Sequence, residues 1–190
     1  VADRDFVFPV DTAPSLVAFT SEINLLNNPL AKSGIAVSTS EDIRWKRRDI
    51  KSVNLLAQCL AKQDAHSKGA NEGWMVEDGF VTEGVTSSAY IIKDKKIITR
   101  PLSNLILPGI RRRTLIEIVE REGIELEQRL FTVEEALQAD EAFISSATTI
   151  TLPVVSINGE KIADGTPGEI TRKLRKLYIE RLLEEARKAE

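Results

Sequence analysis

The sequence predicts a mixed α/β domain (α+β type) in which hairpins are interleaved with helices. Three observations carry this. Two-residue turn signals, Asp78-Gly79 and Asn158-Gly159, each sit between apolar runs of strand length. Helix-period stretches with recognisable starts or stops follow Lys51, Pro108, Thr132 and Thr166. Strands do not alternate regularly with helices, and neither a GxGxxG nor a P-loop occurs, so a doubly wound sheet is not expected.

The elements follow in order. "SLVAFTSEI" (15–23) alternates well enough to predict a strand, "NNPLAKSG" a turn-rich loop and "GIAVSTS" a second strand. A helix is expected from near Lys51 to Lys68, stopped by Gly69. "GWMVEDGFVTEG" reads as a hairpin on Asp78-Gly79, and "SAYIIKDKKIITR" as a second around Asp94. "LPGIRRRTLIEIVEREG" is a loop feeding a helix, with Ile110, Leu115, Ile118 and Val119 on its apolar face and Gly123 at its end. Thr132 and Glu135 form the N-cap and N3 of a capping box for a short helix. "EAFISSATTITLPVVSINGEKI" reads as strand, polar turn and strand, then a hairpin on Asn158-Gly159. The last helix starts on Thr166 as N-cap, Pro167 at N1 and Glu169 at N3, with Ile170, Leu174, Leu177 and Tyr178 facing inward.

Bulk properties narrow the function classes. The chain has 190 residues, 42% of them hydrophobic, which suits one globular domain or one large domain with part of another. A net charge of −3 and the absence of a long basic run argue against a nucleic-acid partner. One cysteine and one histidine make a Cys/His metal site unexpected and permit a reducing, cytoplasmic location. No apolar run approaches the roughly 20 residues of a membrane span.

Candidate chemistry gathers in four places. Lys51 begins the row Lys51, Leu55, Cys59 on the expected helix, beside Val53, Leu56 and Leu60. Either it snorkels, with Asp49 as a partner, or it is a functional amine whose charge burial disfavours. Glu83 follows a strand beside Gly84, read either as a surface carboxylate or as the partner of a buried protonated ring nitrogen. Pro108-Gly109 lead into a helix whose first N–H groups suit an anion, though an ordinary loop-to-helix junction has the same pattern. Ser145, Ser146, Thr148 and Thr149 make a polar turn able to hold a phosphate. Together these supply what pyridoxal phosphate (PLP) requires: an amine for a covalent link, a carboxylate for the ring nitrogen and donors for the phosphate.

The segment "DIRWKRRDIKSVNLLAQCLAKQDAHSKGANEGWMVEDGFVTEG" resembles the class IV (fold type IV) PLP-dependent aminotransferases, close to their D-amino acid (D-alanine) branch. The likeness continues through "TRPLSNLILPGIRRRTL", where Thr99 to Arg112 read T-x7-L-x-G-I-x-R, then "ISSATTITLPV" and "GEITRKLRKLY". The resemblance implies a curved sheet, a pseudo-barrel surrounded by helices, and transamination between an amino acid and a 2-oxo acid by a homodimer; with the charge and hydropathy above, no nucleic-acid or membrane partner is expected. Lys51 would be the catalytic residue, holding PLP covalently and carrying the proton. Glu83 would bond the ring nitrogen and Leu107 would pack on the ring. The N–H groups of Ile110 and Arg111, Ser146 and the Ala147 amide would bind the phosphate. Arg44 would lie in the polar network near the cofactor's hydroxyl, and Arg4 would serve the substrate carboxylate.

Several positions depart from the family pattern. Ser88 stands where Asn is usual, Val85 where a small residue is usual, and Arg111 where the phosphate helix usually has Thr. Arg4-x-Phe6 stands where an Arg-x-His carboxylate trap is usual. The resemblance also implies a smaller N-terminal domain of about a hundred residues, an ordinary domain size. Residues 1–25 are therefore expected to be linker and remnant after a missing N-terminal domain, and 26–190 the large C-terminal PLP-binding domain. Alone it would hold half a cofactor site, with little or no activity. Branched-chain aminotransferase and aminodeoxychorismate lyase share these motifs and are the alternatives within the family. A cofactor-free scaffold or interaction domain that keeps only the fold is the alternative outside it.

Overall fold

The computed structural model describes residues 5–188. A short helix α1 (Leu30–Ser33) leads into strand β1 (Ile35–Glu41), and helix α2 (Leu56–Ser67) follows after a loop. Hairpins β2 (Glu72–Glu77)–β3 (Phe80–Gly84) and β4 (Ser88–Lys93)–β5 (Lys96–Thr99) precede helix α3 (Ile110–Arg121). Then come β6 (Leu126–Gln128), α4 (Val133–Leu137), β7 (Glu141–Ser146), β8 (Ile150–Ile157), β9 (Glu160–Lys161) and the long helix α5 (Glu169–Lys188).

The hairpins form where their turn residues demand them. Asp78 and Gly79 have φ of 53° and 82°, and Asn158 and Gly159 have 52° and 84°, the paired left-handed geometry of a type I′ turn. The strands join one mixed sheet in the order β3-β2-β1-β8-β7-β4-β5-β6, with β9 on β8. Its two ends are tied together. The edge strand β3 donates Val81 N–H to the Phe131 carbonyl at 3.0 Å, just beyond the opposite edge strand β6, and Phe80 bridges Thr132. The sheet therefore curls into a pseudo-barrel.

Period-two alternation sorts side chains to the two faces of this curl. Ala89, Ile91, Ile98, Ala142, Ile144, Leu152 and Val154 pack inside with Trp74, Val81 and Phe131. Their neighbours Tyr90, Ile92, Ile97 and Phe143 face outward and pack under α3 and α5, against Leu115, Ile118, Leu174 and Tyr178; Ile150 joins them because its φ of 62° takes it out of the regular alternation of β8. Tyr90 stacks on Phe143 with ring centroids 4.4 Å apart.

Four local expectations are corrected. Residues 15–23 form no strand: Leu16, Val17 and Phe19 are exposed, and among the described residues no strand pairs with them. Residues 27–34 include the helix α1, not loop alone. Helix α2 begins at Leu56, not near Lys51, and its large apolar residues Leu56 and Leu60 face outward with Val53. The buried face is Ala61 and Ala65, because the helix lies close over Gly73: a Cβ there would meet Val85 at 2.9 Å and Ala65 Cβ at 3.6 Å. Small side chains on α2 suit that approach. Ile110 is likewise exposed on α3, although Leu115, Ile118 and Val119 are buried as expected.

The last helix also starts later than its sequence signal. Thr166 turns back to Asp164, which accepts from its N–H and hydroxyl, so it does not cap α5. Glu141 caps the helix from β7: its carboxylate accepts from the Ile170 and Thr171 N–H groups, both at 2.8 Å, and from the Thr171 hydroxyl at 2.7 Å. A Cβ on Gly168 would lie 1.9 Å from Glu141 Cδ. With three hydrogen bonds fixing that carboxylate, it cannot move aside and still cap the helix. Gly168→Ala is expected to cost about 2 kcal/mol or more in denaturant unfolding. An unchanged midpoint would show the cap to be dispensable.

Candidate functional site

The barrel's chain turns open onto one cavity of about 540 Å³. Its wall is built from the loop between β1 and α2, the end of β3, the start of β4, the N-terminus of α3 and the end of β7. Lys51, Glu83, Leu107, Ile110, Arg111, Ser146, Ala147 and Arg44 all line it. The remaining sequence candidate, Arg4, lies outside the described residues.

Glu83 is buried on β3, between Thr82 and Gly84. Arg44 Nη1 donates to its Oε1 at 2.6 Å, and the Leu107 N–H donates to both carboxylate oxygens at 3.3 and 3.2 Å. Burial pushes the Glu83 carboxyl above its ordinary pKa despite these donors. Arg44 is held in turn by Asp42, through Nε to Oδ1 at 2.9 Å and Nη2 to Oδ2 at 2.7 Å. Burial acts against the Arg44 charge, but the two carboxylates more than offset it and its pKa rises.

Behind this pair lies a second. The Arg48 side chain is fully buried, with Nη1 and Nη2 on the Glu77 carboxylate at 2.9 and 3.0 Å and Nη1 3.3 Å from Asp42. Lys46 joins Glu77 from the solvent side. The Arg48 hydrogen bonds, followed by Lys46, hold Glu77 down to about 2. Burial of Asp42 is outweighed by Arg44, Thr82 and Arg48, which leave it below its usual value. A carboxyl depressed on folding stabilises the fold above its unfolded pKa and loses that contribution as pH falls through the folded one. Between about pH 4.5 and 2 the protein is therefore expected to lose stability through Glu77, on the order of 1–2 kcal/mol once solvent screening of a partly exposed group is allowed for. Acid titration of thermal stability in Glu77→Gln, with a flatter profile than the parent, checks this.

Lys51 is exposed and precedes α2, in correction of the buried helix-face expectation. Its amine has no hydrogen-bond or ion-pair partner among the described residues; Asp49 instead pairs with Arg47. The apolar stripe that suggested an inward row is the outward face of the helix. Lys51 reaches the cavity from the loop that precedes it.

At the opposite wall α3 begins on Gly109, which offers no side-chain cap. The N–H groups of Ile110, Arg111 and Arg112 find no acceptor among the described residues. Arg111 turns its guanidinium aside, 5.3 Å over the Tyr178 ring, with Nη1 on the Tyr178 hydroxyl at 3.3 Å and Nη2 on the Ala147 carbonyl at 3.4 Å. Its contribution to the cavity is thus mainly its backbone N–H. Ser146 Oγ lies 2.8 Å from Thr149 Oγ1, and Ser145 Oγ lies 3.0 Å from the Tyr90 hydroxyl.

Five cavity residues leave a buried polar atom without a partner: Arg48 Nε, Gln58 Oε1, Ser87 Oγ, Arg111 Nε and Arg112 Nε. Unpaired buried polar groups are costly, so the wall suits a polar ligand. An amine, a buried carboxylate with a raised proton affinity and an uncapped helix N-terminus line the same space. That donor set fits a phosphorylated, ring-nitrogen-bearing aldehyde. Sequence reasoning missed Asp42, Arg48 and Ser87. Arg112 was visible only as the last position of the Thr99–Arg112 stretch.

Comparison with known proteins agrees with this chemistry. The family model described as amino-transferase class IV matches residues 2–157. The D-alanine aminotransferase of Bacillus licheniformis is 36% identical over 187 residues, covering 98% of this chain and 66% of that protein. That of Staphylococcus haemolyticus is 42% identical over 184 residues, covering 95% and 65% respectively. The chain thus spans somewhat less than two thirds of their length. Among solved structures, the T.th. branched-chain amino acid aminotransferase with pyridoxamine 5'-phosphate superposes with a TM-score of 0.77 at 28% identity, over 82% of this chain and 52% of that one. The holo, PLP-form enzyme from Thermobaculum terrenum gives 0.74 at 29% identity, over 80% and 52%.

Proposed function

This chain belongs to the class IV aminotransferases, and from that premise we propose that it carries the PLP-binding half of a transaminase of the D-alanine aminotransferase type. The reaction would exchange an amino group between an amino acid and a 2-oxo acid. The observation that carries the reading is the meeting of Lys51, Glu83 and the uncapped α3 terminus in one cavity. The D-alanine type is favoured by identities of 36–42%, against 28–29% for the branched-chain enzymes.

When bound, PLP supplies an electron sink for the substrate as its α-proton leaves. Lys51 Nζ would hold the cofactor covalently, and once released would move the proton away from the substrate Cα. Glu83 would hold a proton at the ring nitrogen through its negative charge, which Arg44 helps to maintain against burial. Leu107 would pack on the ring while its N–H fixes Glu83. Ile110, Arg111, Ser146 and Ala147 would bind the phosphate through N–H groups and a hydroxyl. Arg44 would fix Glu83 and lie near the cofactor's hydroxyl, and Arg4 would serve the substrate carboxylate.

We assign residues 26–190 to the PLP-binding domain, with 1–25 as linker. The Arg175 Nη2 bond to the Leu25 carbonyl, at 2.9 Å, supports a boundary there. A homodimer is supported by the exposed apolar residues Val53, Leu55, Leu56 and Leu60 beside the cavity; sedimentation as a monomer at micromolar concentration would refute it. A cytoplasmic location fits the single free thiol of Cys59. The test of the whole reading is spectroscopic. Added PLP is expected to give a visible band that borohydride bleaches while fixing the cofactor to the peptide that contains Lys51. Fixation elsewhere, or none, would overturn it.

A further inference from the structure

We propose that Arg112, a residue with no assigned role, supplies the buried counter-charge for the phosphate end of the cavity; this rests on the PLP reading above. The Arg112 side chain is on the first turn of α3, and the residue is only 2% exposed. Its hydrogen bonds go to neutral groups: the Thr99 hydroxyl at 2.7 Å, the Arg100 carbonyl at 2.8 Å and the Gln128 side-chain oxygen at 3.1 Å. Among the described residues no carboxylate stands within ion-pairing distance, and its Nε has no partner at all. A buried charge left this way is costly, and the buried arginines Arg44 and Arg48 avoid the cost by pairing with Asp42, Glu83 and Glu77.

Position makes the cost larger. The positive end of a helix dipole favours acids, yet α3 opens with Arg111, Arg112 and Arg113 and has no acidic residue in its first turn. Three unfilled N–H groups point the same way. Arg100 and Arg175 are also buried without a carboxylate, but neither lines the cavity. Arg112 does, and a phosphate bound at the α3 terminus would neutralise both the guanidinium and the dipole. Arg111, committed to Tyr178, is not the cation for that task.

Binding of three probes to the purified chain separates charge from scaffolding: inorganic phosphate, PLP and pyridoxal, which lacks the phosphate. Arg112→Gln is expected to weaken phosphate and PLP on the order of tenfold and to leave pyridoxal unchanged. Arg112→Lys, which keeps the charge but not the planar donor fork, is expected to recover most of the affinity. Equal losses for pyridoxal and PLP, or loss of the folded state in both variants, would make Arg112 a purely structural residue and overturn the proposal. So would unaltered phosphate affinity in Arg112→Gln, or a parent chain that binds no phosphate. If phosphate binding depends on Arg112 but borohydride fixes no cofactor at Lys51, the anion site stands and the transaminase reading falls.

Discussion

Lys51→Ala, made in the protein that carries this chain, is expected to abolish the borohydride-fixable visible band and to lower transamination on the order of a thousandfold or more. Two contributions are lost at once: the nucleophile that holds the cofactor, and the base that moves the α-proton, which alone contributes roughly 10²–10⁴-fold in comparable enzymes. Stability should hardly change. The Lys51 amine is exposed and bonds to no described residue, so truncation removes neither packing nor an ion pair. PLP should still enter non-covalently, because the α3 terminus and Ser146 are untouched. An external amine added to the variant is expected to restore part of the turnover, which a merely structural lysine would not allow. Normal turnover by Lys51→Ala would sink the assignment, since no other lysine lines the cavity among the described residues.

Much of this fold is legible in the chain because its turns are chemically specific. Asp78-Gly79 and Asn158-Gly159 place the hairpins, and Gly69 and Gly123, at φ of 75° and 66°, end α2 and α3 where the sequence predicts. What failed were inferences from apolar pattern without a partner. The row Val53, Leu56, Leu60 looks like a core face, but the helix docks by Ala61 and Ala65 because Gly73 lets it come close. The alternating segment 15–23 has no described strand to join. The start of α5 is set by Glu141, nearly thirty residues earlier, so the local signal at Thr166 misleads. The candidate site was legible as residue types, because a lysine, a carboxylate and an open helix terminus carry their chemistry in their identity. Its supporting network was not. Asp42 meets Thr82, and Arg44 meets Glu83, only through folding, and no spacing rule links them.

That network makes Glu83→Gln the sharper test of mechanism. The substitution keeps the shape of the side chain. Its amide oxygen can still accept from Leu107 N–H and Arg44 Nη1, and its NH₂ can donate to an unprotonated ring nitrogen. Cofactor binding should therefore survive. What disappears is the negative charge that keeps the ring nitrogen protonated, and with it the electron withdrawal needed as the α-proton leaves. Proton abstraction, read as loss of the α-deuterium isotope label or as single-turnover decay, is expected to slow on the order of a hundred- to a thousandfold. Folding should not suffer. The Glu83 pKa is raised on folding, so at neutral pH its charged form is a cost to the native state, and removing the charge is neutral or stabilising. Nor is a cation orphaned, because Arg44 keeps Asp42 and Arg48 keeps Glu77. Slower chemistry with undiminished thermal stability is thus the expected combination. A variant that lost stability and activity together would mean that Glu83 serves the charge network of Arg44 rather than the cofactor.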